Sequence, residues 1–396
     1  MNTLYVDYTH SVPRRQTKVH GGGNYTRTLL INILQYLEKT DSIRKIVVLW
    51  PKDYLPISDV EKCIYESKLV EILRVEDSID KVVYEPGATL FIPLLGVKDF
   101  PLLKSLKKKK VNIVLTIHGL RLLDYKIDLY NTHYVSGLLA KTKALIQELF
   151  LPIRQTVYKY SIKKYTKYVD TIITVSNYTL ARMAKYCHLN NVLLQFQGSY
   201  LEATDRYNGV FDKSDDYILF VSGNRSEKNL ARTIAAYNRY LECSDKEKAL
   251  YVVGTSSQTR KALISSLKLD ALVDGRRIVF YDYVDDDELI ALYRHASFLL
   301  YTSKSEGFGL PALEAAKFGC PVVAAYGTSI PEVLGANCMY VNPYSIDSIK
   351  NGIVEMSNES NRIYYKSKVE KAYKDLMPRI QDSSGFVIKK IIEFGN

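Results

Sequence analysis

The sequence predicts an α/β protein of two doubly wound domains facing across a cleft, each a parallel sheet wrapped by helices. Three observations lead there. At 396 residues the chain is longer than one ordinary core organises. Short apolar runs alternate with helical or loop segments twice along it, the pattern that builds parallel sheets. Between the two series, residues 199–214 are polar and interrupted by Thr204, Asp205, Asn208, Gly209 and Asp212, and the linker is expected there.

In the first series, strands are expected at residues 3–8, 47–50, 90–93, 111–117 and 171–175. The second series reads as strands at 217–222, 249–254, 278–281, 298–301, 321–325 and 339–341. The resulting division is 1–205 for the first domain and 206–378 for the second, with 379–396 as a C-terminal helix returning to the first. In doubly wound sheets ligands bind beyond the carboxyl ends of the strands. After the first strand, Gly21, Gly22, Gly23 and Asn24 precede a helix carrying Leu29, Ile31, Ile33 and Leu34, and glycines at a helix start let a ligand approach closely. There is no GxGxxG and no GxxxxGK[ST], which disfavours a nicotinamide cofactor and excludes a kinase-type phosphate loop.

Apolar residues make up 47% of the chain, enough for packed cores. No apolar run reaches bilayer length, and the N-terminus lacks the basic and apolar regions of a secretory signal. Five scattered cysteines without metal-ligand spacing fit a reducing cytoplasm. The net charge of +11 needs a partner or a tolerant surface. Lys107 to Lys110 is unbroken, and Lys159, Lys163, Lys164 and Lys167 crowd an expected helix with Leu149, Phe150, Leu151, Ile153, Val157, Tyr158 and Tyr160. That mixture suits anionic lipid headgroups, or equally a solvated face over a core-facing stripe. No helix-turn-helix, zinc-finger or RNA-recognition signature accompanies the charge, so no nucleic-acid partner is expected.

The densest chemistry lies at 306–314, E-G-F-G-L-P-A-L-E. Gly307 and Gly309 permit a turn that brings backbone N–H groups against a ligand. Pro311 suits the first helical position, and Gly319 is placed to stop the helix that follows. The helix start offers N–H groups and a positive dipole end to an anion, with Phe308 and Leu310 contributing to the cradle. Glu306 lies before the loop and Glu314 in the first helical turn. Carboxylates are poor phosphate ligands but good acceptors for sugar hydroxyls. Alternatively, Glu314 only complements the dipole and Glu306 is a surface residue.

Upstream, S-G-N-R-S-E-K-N-L brings Arg225 and Lys228 to a turn entering a helix, where a diphosphate could be neutralised without a metal. His118 stands at the carboxyl end of the 111–117 strand, at the cleft edge, where a hydrogen-bonded structural histidine would also fit. Asp285, Asp286 and Asp287 invite a metal reading. Asp285 followed by Glu288 three residues on reads better as a helix capping box, and no metal is expected.

Taken together, these residues resemble the retaining nucleotide-sugar glycosyltransferases of family four, glycosyl transferases group one, which have the GT-B fold of two Rossmann-like domains. The likeness is strongest over residues 280–343, through Y-D-Y-V-D-D-D-E-L-I-A-L-Y-R-H-A, S-E-G-F-G-L-P-A-L-E-A-A-K-F-G-C-P-V-V-A-A and I-P-E-V-L-G-A-N. Weaker likeness extends to the Gly21 loop, T-I-H-G, T-V-S-N-Y-T and G-N-R-S-E-K-N. The resemblance implies that Glu306 bonds hydroxyls of the donor sugar and Glu314 the ribose. It implies that Arg225 and Lys228 hold the diphosphate with Gly307, Phe308, Gly309 and Leu310, while Tyr283 and Val284 lie by the base. It places His118 near the reacting carbon and Gly22 and Gly23 beside the phosphates, without a metal or cofactor beyond a UDP- or GDP-sugar donor. The chain departs from the family in Gly119 after the histidine where Asp is frequent, in Arg225 standing three rather than five residues before the lysine, and in Thr302 for a common Pro. A frequent C-terminal Trp is also absent, with Phe386 nearby.

The expected function is hexosyl transfer to a saccharide or lipid-linked saccharide in surface polysaccharide assembly. It would take place in the cytoplasm, at the inner face of the membrane if the basic first domain docks there. A GT-B hydrolase or epimerase and a non-catalytic nucleotide-sugar-binding subunit are the alternatives. Retention of His118, Lys228, Glu306 and Glu314 together argues against the subunit.

Overall fold

The computed structural model describes residues 3–12, 21–40, 46–187, 191–202, 216–244 and 247–394. The described strands pair in parallel within two sheets. The seven-stranded sheet contains β1 (Leu4–Asp7), β2 (Ile46–Pro51), β3 (Val70–Val75), β4 (Thr89–Ile92), β5 (Asn112–Ile117), β6 (Thr171–Thr174) and β7 (Val192–Leu194), in spatial order β3-β2-β1-β4-β5-β6-β7. The six-stranded sheet contains β8 (Tyr217–Val221), β9 (Ala249–Val253), β10 (Ile278–Phe280), β11 (Phe298–Tyr301), β12 (Val322–Ala325) and β13 (Met339–Val341), in order β10-β9-β8-β11-β12-β13.

Both orders step outward from their first strand, then reverse to the other side, so each sheet has a switch point, between β1 and β4 and between β8 and β11. In the second sheet Ile218 and Leu219 of β8 lie in register with Phe298 and Leu299 of β11. Central strands are apolar on both faces because helices cover both sides. Every residue of β1, β4, β6, β8, β11 and β12 is buried.

By contact the chain divides into one unit of residues 1–120, 156–200 and 378–396 and another of 121–155 and 201–377. Residues 121–155, assigned by sequence to the first domain, thus group with the second. The reason is electrostatic as well as apolar. Buried Asp128 receives Arg232 Nη2 at 2.7 Å and Lys304 Nζ at 2.9 Å, so separating this segment would strand two cations. Residues from Pro378 onward, the later part of the helix Glu359–Glu393, group with the first unit. There Ser383 Oγ accepts from Phe196 N at 3.1 Å, and Val387 and Ile391 are fully buried. The linker expected at 199–214 lies mostly outside the described residues.

Candidate functional site

The second unit assembles its polar cluster from the loops after β8 and β11, the two strands that flank its switch point. After Val221, Ser222 takes a positive φ of 73°. A Cβ on Gly223 would collide with Thr255 Oγ1 and come within 2.9 Å of Leu230, so the backbone must be bare there. The chain passes Arg225 into the 3₁₀ turn Ser226–Lys228 and then, through Asn229 at φ 71°, into the helix Leu230–Leu241. Asn229 Nδ2 donates to the Thr302 carbonyl at 3.2 Å and the Pro343 carbonyl at 2.6 Å, tying the β8 loop to the one after β11.

This tie brings Lys228 and Glu306 together. Lys228 Nζ donates to Glu306 Oε1 at 2.5 Å; the lysine side chain is buried and that of Glu306 is mostly so, at 11% exposure. Burial lowers the Lys228 pKa, against the pull of Glu306. Burial opposes ionisation of Glu306, but Lys228 with Tyr301 and Ser303 outweighs it and holds the carboxyl below its usual range. Lys228 Nζ also lies 5.5 Å from the Tyr301 ring centroid.

Beside this pair, Glu227 carries two guanidinium groups on one oxygen, Arg121 at 3.1 Å and Arg225 at 3.4 Å. Both arginines are half-exposed, so each can offer further N–H groups outward. Three cations therefore converge with two carboxylates, an excess of positive charge suited to a phosphorylated ligand. Sequence reasoning missed Arg121 and Glu227. Arg121 sits just after His118-Gly119, far from Arg225 in sequence, and only the packing of 121–155 on the second unit reveals it.

The 306–309 loop is pinned from outside. Ser329 Oγ donates to the Glu306 carbonyl at 3.0 Å and the Phe308 carbonyl at 2.9 Å, and Thr328 Oγ1 accepts from Glu306 N at 3.2 Å. Phe308 is buried, and Gly309, at φ 108°, caps the helix Leu310–Lys317. Pro311 is therefore the second residue of the helix, not the first, because Gly309 rather than Leu310 makes the turn. Gly319 ends the helix at φ 69°, with its N–H on Ala316 O at 3.3 Å and Cys320 N–H on Ala315 O at 2.8 Å.

Glu314 falls in the second turn rather than the first, and it is buried. At that depth it is not a surface complement to the helix dipole. Tyr293 OH donates to Glu314 Oε2 at 2.9 Å. Desolvation dominates its titration and raises the pKa to about 7, despite the lowering effect of Tyr293. Tyr283 and Val284 lie between β10 and the helix Asp286–His295, with Tyr283 exposed. Asp285 caps that helix by accepting from Glu288 N at 2.8 Å. Among the described residues no group of three His, Cys, Asp or Glu could hold a metal ion.

The remaining predicted residues belong to the first unit. Gly22 and Gly23 lie within the first turn of the helix Gly21–Lys39 rather than in a loop before it. Tyr25, in the next turn of that helix, meets the His118 ring edge-on, with centroids 4.7 Å apart, and its hydroxyl donates to Gln195 Oε1 at 2.6 Å. Both nitrogens of His118 are engaged. The network assigns Nε2–H as donor to the Pro93 carbonyl at 2.8 Å and Nδ1 as acceptor from Gln197 Nε2 at 2.9 Å. The histidine therefore fastens the end of β5 to its neighbours, and moving a proton through it would break one of these bonds. Gln195 and Gln197, just after β7, carried no sequence signal.

Residues 202–375 match the model of the glycosyl transferases group 1 family. The chain carries a group 1 glycosyl transferase domain. Both loops of the polar cluster fall within it, whereas Arg121 comes from outside the matched segment. The group 1 domain has curated relatives. Over 170 residues, 42% of this chain and 21% of the relative, the chain is 28% identical to the serotype-specific mannosyltransferase WbdA of Escherichia coli. Over 78 residues, 20% of each chain, it is 42% identical to O-antigen chain mannosyltransferase B of Escherichia coli. The chain thus spans about a fifth of the length of these relatives. In fold, the sucrose-phosphate synthase of Thermosynechococcus elongatus superposes with a TM-score of 0.68 at 14% identity, covering 99% of this chain and all of that one. The fold is therefore GT-B.

Proposed function

We propose that the chain is a retaining hexosyltransferase, moving a sugar from a nucleoside diphosphate, UDP or GDP, to a hydroxyl of a saccharide. The acceptor in this reading is lipid-linked, in the assembly of a surface polysaccharide. The observation that carries it is the cluster at the ends of β8 and β11, where Lys228 is paired with Glu306 while Glu227 holds Arg121 and Arg225 side by side. O-antigen and serotype-specific mannosyltransferases among the relatives support the polysaccharide setting and put a mannosyl donor first among candidates.

In this reading Arg225 and Lys228 receive the diphosphate with the loop Gly307 to Leu310, so that charge developing on the leaving group is met by preorganised cations rather than by a metal ion. Ionised Glu306 accepts hydrogen bonds from the donor sugar and Glu314 from the ribose, with Tyr283 and Val284 near the base. His118 is read as a contact to the donor sugar, and Gly22 and Gly23 as neighbours of the phosphates, on the family resemblance alone. The bond from the anomeric carbon to the diphosphate breaks, a bond to the acceptor oxygen forms on the same face, and the acceptor proton passes to the departing phosphate. Most of the acceleration in such a site comes from positioning.

A melting-temperature screen against UDP-, GDP-, ADP- and dTDP-sugars tests the donor, since a ligand of the native state raises its stability. A rise with one nucleotide series is expected. No rise with any of them at saturating concentration removes the donor site from this account.

A further inference from the structure

The helix Leu138–Leu149 has no buried residue, although apolar side chains dominate one side of it. Leu138 and Leu139 are 83% and 88% exposed, and Leu145, Ile146 and Leu149 are exposed as well. With about 100° between successive residues these five span an arc of about 120°, and Lys141 and Lys143 lie about 40° beyond its two edges; Thr142 falls within the arc, its hydroxyl donating to the Leu138 carbonyl at 2.9 Å. The helix is moored elsewhere on its circumference. Its one carboxylate, Glu148, accepts from Asp128 N at 2.9 Å and Asn131 Nδ2 at 2.8 Å, so it is turned to the protein and already occupied. Phe150 and Ile153, just beyond the helix end, are also exposed. The helix expected from the sequence to carry Leu149 to Tyr160 without a break is divided here. Phe150 is the C-cap of one helix, and the next, Leu151–Thr166, starts after it.

An apolar stripe bordered by lysines calls for an occupant that is both greasy and anionic. A second copy of the chain fits poorly, because a two-fold interface would set the stripe against itself and press Lys141 and Lys143 on their symmetry mates without an acid to pair them. A spanning role is excluded by length: no described helix is long and apolar enough to cross a membrane. We infer that this helix lies in the headgroup layer of an anionic bilayer, with the leucine and isoleucine side chains below the phosphates and the lysine stems reaching up to them. The surface lies away from the phosphate-suited cluster in sequence, and its test is independent of the transfer reaction.

The test is co-sedimentation of the full chain with vesicles of phosphatidylcholine containing 40% phosphatidylglycerol, and with phosphatidylcholine alone, at 0.1 M salt. Binding to the anionic vesicles, at least tenfold weaker to the neutral ones, is expected. The triple variant Leu138→Ser, Leu139→Ser, Ile146→Ser should lose at least tenfold in partitioning while keeping the wild-type melting temperature, since none of the three side chains is buried. Lys141→Gln with Lys143→Gln should weaken binding several-fold. Absence of wild-type binding, or triple-variant binding equal to wild type, overturns the inference. So does a dimer in sedimentation velocity that the triple variant dissociates, which would assign the stripe to a second copy.

Discussion

At the scale of residues, Lys228 and Glu306 stabilise each other only as a pair. Lys228→Ala leaves a buried carboxylate without its cation, and a loss of about 3–5 kcal/mol is expected in urea unfolding. The double variant Lys228→Ala, Glu306→Ala should lose less than the sum of the single changes. Glu314 makes an opposite statement about pH. Its folded pKa of about 7 lies above the usual carboxyl value, so the native state holds a proton that the unfolded chain releases earlier. Stability from this residue is therefore greatest at low pH and declines as pH rises from about 4.5 to about 7. Glu314→Gln should flatten that part of the melting-temperature profile, and an unchanged slope would exclude Glu314 as its source. His118, with both ring nitrogens engaged, is expected to cost stability as well as turnover when replaced by Ala, about 1–3 kcal/mol for the partners left unsatisfied.

At the scale of elements, much of the architecture was legible. Strands whose residues are buried on both faces announce themselves as apolar runs, and β11 and β13 fall on the expected residues. The two strands that escaped are β3, whose Glu71 and Arg74 interrupt an edge, and β7, three residues long at the opposite edge. Edge strands bury less, so their sequences carry less of the signal. The 306–319 segment was legible because glycines and a proline dictate local geometry. Arg121, Glu227 and Asp128 were not, because their roles come from packing between remote segments. Asp128 should be the clearest test of that packing. Its carboxyl is held at about 2, burial being overcome by Arg232 and Lys304, so its stabilisation is complete above the usual carboxyl range and fades as pH falls through about 2. Asp128→Ala should cost about 3–5 kcal/mol by leaving two buried cations unpaired, and a loss under 1 kcal/mol would show that the segment is held by apolar contacts instead.

For the whole molecule, two sheets of the same winding order each place polar residues beyond their strand ends, and among the described residues the loops of the second gather charge of the kind a diphosphate requires. That cluster draws on the matched domain and on a segment that precedes it in the chain, so the group 1 domain by itself lacks one of the converging guanidinium groups. Binding of a nucleoside diphosphate at this cluster is the central requirement. Calorimetric titration of UDP and GDP into the wild-type chain and into the variant Arg121→Ala, Arg225→Ala tests this most directly. Saturable binding of one nucleotide, weakened at least tenfold in the variant with the fold intact by circular dichroism, is the predicted result. Equal affinity in the two proteins, or no binding of either nucleotide to the wild type, would contradict it.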